Sequence, residues 1–342
     1  MKHLDIERGL IDLTHGSGGR ATSHLVSELF QRAFDNPLLA QQNDAVILDL
    51  PHGRPVLSTD GFVVSPLFFP GGDIGKLAIH GTVNDVAMAG ARPLYVTAGF
   101  ILEEGFPLRD LARVVHSMAE AAREAGVVLV AGDTKVVERG KGDGVFITTT
   151  GLGVIPPGIV APGGARARPG DVVMVSGHMG DHGMAILSCR EGLGFETPVL
   201  SDTASLGGLV AAMTEVVRDI HVLRDPTRGG LATTLNEIAT QSKVGIRLRE
   251  AAIPVRPEVN AACELLGIDP LYVANEGKLI AVCAKDDASR LLAVMRAHPR
   301  GKDAAAIGEV VDDAEHFVEL KTSFGGSRIL EWLSSDQLPR IC

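Results

Sequence analysis

The chain has 342 residues, of which 45% are hydrophobic and 22% charged, with a formal net charge of −10; this is ordinary globular composition, long enough for two domains, and it excludes extended disorder. An acidic balance with only 4% aromatics argues against a nucleic-acid partner, which needs a basic surface and stacking platforms. Apolar runs such as VVLVA at 127–131 are far short of the ~20 residues that span a bilayer.

MKHLDIERG lacks the apolar core of a signal peptide. Cys189, Cys263, Cys283 and Cys342 form no C-x-x-C pair, so neither a zinc ribbon nor a disulfide framework is expected. The expectation is a cytoplasmic protein with no membrane partner.

LIDLTHGSGGRA reads as a glycine-dense loop entering a helix that Thr22 and Ser23 are placed to cap, with Leu25, Leu29 and Phe30 as its apolar stripe. AVILDL (45–50) and RPVLSTDGFVV (54–64) read as strands joined by Pro51-His52-Gly53. Asp73 caps a helix that Gly90 closes. LYVTAGFIL is a strand. A helix over 107–126 follows, with Leu108, Leu111, Val115, Met118 and Ala122 on one face. VVLVAGD and GVFITTTGLGVI are the next strands.

PPGIVAPGGARARPG, residues 156–170, is the linker expected between a first domain (1–155) and a second (171–330). In the second half, strands are expected at VVMVSG, GIRLRE, LYVAN, KLIAVCA and GEVVD. Helices are expected at 204–218, 231–241, 257–267, 286–297 and RILEWL, and residues 331–342 form a tail. HMGDH, with His178 and His182, reads as a glycine-rich loop without a third metal ligand, and Cys189, Cys263 and Cys283 read as core residues.

Carboxylates recur beside the strands. Asp44 precedes AVILDL, Asp60 follows PVLST, Asp133 follows VVLVAG and Asp225 follows IHVLR. Strand ends are where open sheets present ligand-binding groups, although Asp also ends strands through Asx turns. Asp85 resists that second account, because it sits in an apolar helix where an unpartnered carboxylate costs several kcal/mol. Five such acids suit Mg²⁺ bridging nucleotide phosphates. The loops His15-Gly16-Ser17-Gly18-Gly19 and Thr227-Arg228-Gly229-Gly230 each run into a helix and can turn backbone N–H groups toward an anion. Neither is a Walker A sequence. The last residue, Cys342, is a nucleophile at a free end able to enter a cleft; the seventeen residues after Gly325 reach roughly 20–25 Å as a flexible chain.

The blocks STDGFVVSPLFFPGGDIGKLAIHGTVNDVAMAGARPLY, VAGDTKVVERG, RDPTRGGLATTLNEIA, VANEGKL and the terminal PRIC resemble the hydrogenase maturation factors of the HypE family over essentially the whole chain. The first three also resemble the wider superfamily of aminoimidazole ribonucleotide synthetase, selenophosphate synthetase and thiamine phosphate kinase. The resemblance implies a two-domain α/β fold and a homodimer whose N-terminal sheets share a barrel, with ATP bound near the interface. It implies carbamoyl transfer to Cys342 by the partner HypF, ATP-dependent dehydration to a thiocyanate, and delivery of the cyano group to iron on the HypC–HypD complex. It makes Asp44, Asp60, Asp85, Asp133 and Asp225 the Mg²⁺ positions. The nucleotide positions become Gly16, Ser17, Gly18, Gly19, Asp60, Asn84, Asp85, Thr227, Arg228, Gly229 and Gly230. Lys135 and Glu276 become the proton-handling pair, although Lys135 also suits a phosphate and Glu276 a turn. Two rivals share these blocks: a small-molecule kinase or synthetase, which has no use for Cys342, and a non-catalytic maturation scaffold.

Overall fold

The computed structural model describes residues 3–41, 45–190, 199–333 and 340–341. In the first half, α1 (Arg20–Leu25) and α2 (Gln31–Phe34) flank a π turn over Val26–Phe30, and Leu25, Leu29, Phe30 and Phe34 are buried. The cap of α1 is Gly19 rather than Thr22 or Ser23; Thr22 instead accepts a hydrogen bond from the Gly18 N–H and donates to the Thr14 carbonyl, which ties the glycine loop down. Strand β1 (Arg54–Phe62) is followed by a two-residue ribbon, β2 (Phe68–Phe69) with β3 (Gly72–Asp73).

Helix α3 (Ile74–Met88) starts where expected, its Asp73 carboxylate accepting the Gly75 and Lys76 N–H groups at 2.8 and 3.0 Å. Then come β4 (Arg92–Glu103), α4 (Leu108–Ala125), β5 (Val128–Val137) and β6 (Val145–Ile155). The predicted face of α4 is buried, while Arg113, His116, Glu120 and Arg123 face water. The sheet runs β1-β6-β4-β5, antiparallel except for β4 with β5.

The second half adds β7 (Val172–Val175), α5 (Asp181–Arg190), α6 (Gly207–Val216), β8 (Val222–Arg224), α7 (Gly230–Ser242), β9 (Gly245–Arg249) and α8 (Pro257–Leu266). After these come β10 (Ile280–Cys283), α9 (Lys285–Ala297), β11 (Ala305–Val311), β12 (Val318–Lys321) and β13 (Ser327–Ile329). Its seven-stranded sheet runs β13-β12-β9-β11-β7-β10-β8. Alternation along β7 divides two cores. Val173 and Val175 join Leu231, Leu235 and Ile238 of α7, whereas Met174 joins Leu209 and Met213 of α6 and Leu291 and Met295 of α9. Met184–Ile186 of α5 and Val259, Ala262 and Cys263 of α8 instead complete the core of the first half. The result is a two-part α/β architecture whose halves share apolar surface.

Several expectations are corrected. Residues 45–50 form no strand, and Ile47 is 88% exposed; β1 pairs only with β6, so no other described strand hydrogen-bonds its outer edge. LYVAN is a 3-10 turn over Pro270–Tyr272, because the Asp269 side chain accepts the Leu271 N–H and Pro270 favours the turn. HMGDH enters α5, which removes His182 from a loop and buries it on a helix. RILEWL supplies β13, paired with the unforeseen β12. Cys263 and Cys283 are buried as expected, but Cys189 is exposed. None of the described helices is long and apolar enough to cross a membrane.

Candidate active site

Three of the five acids singled out in the sequence converge, Asp60, Asp85 and Asp225. On β1 the burial alternates, so that Ser58, Asp60 and Phe62 turn to the side packed on α3. The Ser58 hydroxyl donates to Asp85 Oδ2 at 2.8 Å. Ser58 and Asp85 line a cavity of about 400 Å³ with Asp225, Thr227 and Arg228 from the turn between β8 and α7. Asp60 lies within electrostatic range of both Asp85 and Asp225. Glu276, buried at the end of the VANEG segment, is coupled to all three.

This is like charge packed out of water, and the proton affinities record it. Burial raises the Asp85 carboxyl, with Asp60 adding to it against the Ser58 hydrogen bond. Burial and then Asp85 push Asp225 up to about 7. Burial, Asp225, Asp202, Asp60 and Asp85 lift Glu276 well above the carboxylate range. An acid whose folded pKa is raised binds more protons folded than unfolded, so its stabilising contribution is present at low pH. It is lost as pH climbs from about 4 toward 7. The Asp225→Asn variant is therefore expected to melt higher than the parent at pH 8, by about 2–4 °C for each kcal/mol of repulsion removed, and to lose that advantage at pH 5. Melting curves at the two pH values check it.

The two glycines of the DPTRGG turn are both left-handed, Gly229 at φ 74° and Gly230 at φ 61°. A Cβ on Gly230 would stand 2.7 Å from the carbonyl oxygens of Leu271 and Val273, so only glycine lets α7 begin pressed against that turn. The start of α7 carries a buried Thr233 Oγ1 with no hydrogen-bond partner among the described residues. Free helix N–H groups, the exposed Arg228 and an orphaned hydroxyl fit a phosphate-bearing ligand. For Mg²⁺, no three acidic, imidazole or thiol groups among the described residues close around one point. The hard oxygens of Asp60, Asp85 and Asp225 nevertheless suit an ion that takes one or two carboxylates and completes its octahedron with phosphates and water.

Asn84 is spent on the protein. Its amide donates to the Ala204 carbonyl at 3.0 Å and the Glu276 carbonyl at 3.3 Å, and it accepts the Leu206 N–H at 2.8 Å. These bonds tie it to the segment that carries Glu276.

Lys135, Asp133 and the loop Gly16–Gly19 form a second group. Asp133 accepts from Lys135 Nζ at 2.9 Å and from its neighbour's N–H, and the lysine hydrogen bond lowers its pKa. A Cβ on Gly16 would lie 2.6 Å from the Val136 nitrogen, so the glycine loop lies directly on β5. In register, Asp60 shares a row with Thr149, Ala98 and Gly132, and Asp133 shares the next with Gly61, Thr148 and Gly99. Asp133 thus lies three strands from β1, roughly 14 Å at the usual strand spacing, and on the opposite, helix-free face. One chain does not bring Lys135 or Asp133 to the Asp85 cluster, because β1 and β5 are opposite edges of the sheet. Asp44 and Cys342 lie outside the described residues. Ser58 and Asp202 were not singled out in the sequence: a serine in PVLSTD and an acid in SDTAS carry no local signal.

The profile described as AIR synthase related protein, N-terminal domain, matches residues 42–155, and its C-terminal domain counterpart matches 168–321. The carbamoyl dehydratase HypE of Azotobacter vinelandii is 65% identical over 342 residues, covering 100% of both chains. The chain belongs to the HypE family of carbamoyl dehydratases. Within that family, a crystal structure of HypE in complex with ATP superposes with a TM-score of 0.93 at 56% identity, covering 96% of this chain and 99% of that one. A HypE–HypF complex matches with a TM-score of 0.80 at 52% identity, over 90% of this chain and 99% of the other.

Proposed function

We propose that the chain is an ATP-dependent carbamoyl dehydratase whose substrate is a carbamoyl group on its own Cys342, and whose product is a thiocyanate on the same sulfur for the cyanide ligands of nickel–iron hydrogenases. The observation that carries this reading is full-length identity of 65% to a carbamoyl dehydratase. HypF is the expected carbamoyl donor and HypC–HypD the expected acceptor. The boundaries 1–155, 156–170, 171–330 and 331–342 belong to the same proposal, supported by two sheets that share no strand.

The carbamoyl oxygen is a poor leaving group. Its attack on the γ-phosphorus of ATP releases ADP and turns that oxygen into a phosphate ester. Expulsion of phosphate, with loss of both nitrogen protons, then leaves a carbon–nitrogen triple bond on sulfur. Glu276 takes a nitrogen proton, and the Asn84 hydrogen bond at its carbonyl fixes the segment that carries it. The start of α7 and Arg228 orient the phosphates. One or two of Asp60, Asp85 and Asp225 would hold Mg²⁺, which would supply charge neutralisation at the phosphates and at these crowded acids. Lys135 and Gly16–Gly19 reach the reacting group from the second copy of a homodimer. In support, one face of the first sheet carries no helix among the described residues and leaves Leu57 and Ile101 exposed.

The reading is tested by following ATP in a carbamoylated sample: one ADP should appear per thiocyanate, whereas binding without phosphate release would favour the scaffold. The Asp85→Asn variant is expected to weaken Mg²⁺–ATP binding about tenfold or more, the scale of one charge-assisted contact. Calorimetry checks it, and unchanged affinity removes Asp85 from the site.

A further inference from the structure

The residue joined to Cys342 is not free. The Ile341 side chain is buried, 5% exposed, in the apolar cluster that contains Leu25, Phe69 and Met184. Its carbonyl lies 2.7 Å from His182 Nε2. Next to it, the Arg340 carbonyl accepts from the Ser65 N–H at 3.2 Å and from the Arg190 guanidinium, which also donates from Nε to the Ser65 carbonyl at 2.6 Å. The Arg340 side chain pairs with Asp143. Arg340 has φ 58°, a left-handed backbone that a residue with a Cβ keeps only where its surroundings hold it.

The protonation of His182 follows from its partners. A carbonyl only accepts, so Nε2 carries the hydrogen that Ile341 receives. Burial lowers the imidazole pKa and keeps the ring neutral, so Nδ1 accepts from the Ser201 hydroxyl at 2.8 Å. Ser201 Oγ in turn accepts the Thr203 N–H at 3.1 Å, and the Phe69 ring meets the imidazole edge-on at 5.6 Å. From Ser201 the chain runs one residue to Asp202, whose carboxylate accepts the Glu276 N–H at 3.0 Å. The group that grips the tail is thereby wired to the segment that carries the acid assigned to proton removal.

We propose that His182, with Ser65 and Arg190, is the seat of the carboxy-terminal tail, and that His182 is a positioning residue which sets where the Cys342 sulfur can be presented. The purpose given to the seat rests on Cys342 being the carrier, but the seat itself does not.

Trypsin provides the readout, because Arg340–Ile341 is a cleavable bond only when the tail leaves its seat. The rate of losing the Ile341–Cys342 dipeptide, followed by intact mass, reports the undocked population. In the full-length chain, His182→Ala is expected to speed this loss about tenfold, the effect of deleting one buried hydrogen bond. His182→Gln keeps a donor near the Nε2 position and is expected to restore the slow rate. Should the fully buried His182 not tolerate truncation, Ile341→Ser empties the apolar seat from the chain end and is expected to give the same acceleration. Slow, unchanged clipping in both His182→Ala and Ile341→Ser overturns the seat. Fast clipping in His182→Gln as well as His182→Ala overturns the role of the ring hydrogen bond. If clipping changes as expected while thiocyanate formation does not, the seat stands and the positioning role of His182 is overturned; the carrier reading fails separately, if Cys342→Ala still forms thiocyanate.

Discussion

Replacing Cys342 by alanine is expected to leave nucleotide binding intact and to abolish cyano-group formation entirely. No other described cysteine is placed to substitute. Cys263 and Cys283 are buried, with thiol pKa values pushed up to about 11 and about 12 by burial, and such thiols are poor nucleophiles. Burial also raises the pKa of the exposed Cys189. Intact mass spectrometry with HypF and carbamoyl phosphate checks this directly. The parent should gain roughly 43 Da on its C-terminal peptide and lose about 18 Da of it once ATP is added, while the variant should show neither change. Unimpaired cyanide delivery by the alanine variant would remove Cys342 as the carrier, and no adduct on a competent parent sample would transfer the reading to the small-molecule kinase.

The Glu276→Gln variant is the second test, with an expected loss of about 10²–10⁴-fold in single-turnover dehydration, the range of a general base. Glutamine preserves size and the backbone contacts to Asp202 and Asn84, so ATP affinity and melting temperature should change little. The pH profile separates a base from a structural acid. Burial and four neighbouring carboxylates hold the Glu276 proton well above the ordinary range, so the parent rate should rise with pH as that proton leaves. The rising limb should vanish in the variant. A variant retaining both the rate and the limb would leave Glu276 as a turn residue.

Much of the fold was legible because local signals and tertiary context agree. The helix α3 begins at a capping aspartate, and α4 shows its stripe at helical spacing. The errors fall where context overrides a local signal. AVILDL has the composition of a strand but pairs with none of the described strands, and LYVAN is overruled by its Asp269-Pro270 turn. The glycines of HMGDH concealed a helix whose inner face is almost wholly buried. In the site, Asp60, Asp85 and Asp225 were found from sequence because carboxylates near apolar runs demand an explanation, whereas Glu276 came only from the resemblance of its VANEGKL block to the family. The separation of Lys135 and Asp133 was not visible, since it depends on strand order. His182 was passed over as a loop residue because its partner, a backbone carbonyl 159 positions away, leaves no trace in neighbouring letters.

The burial of Ile341 in the core of the first half also bears on how the molecule is made. A chain is completed at its carboxy end, and the body condenses while that end is still being synthesised. The last apolar plug of this core arrives with the final two residues, together with the thiol. The core of the first half is therefore closed late, by a residue made 159 positions after the histidine that holds its carbonyl.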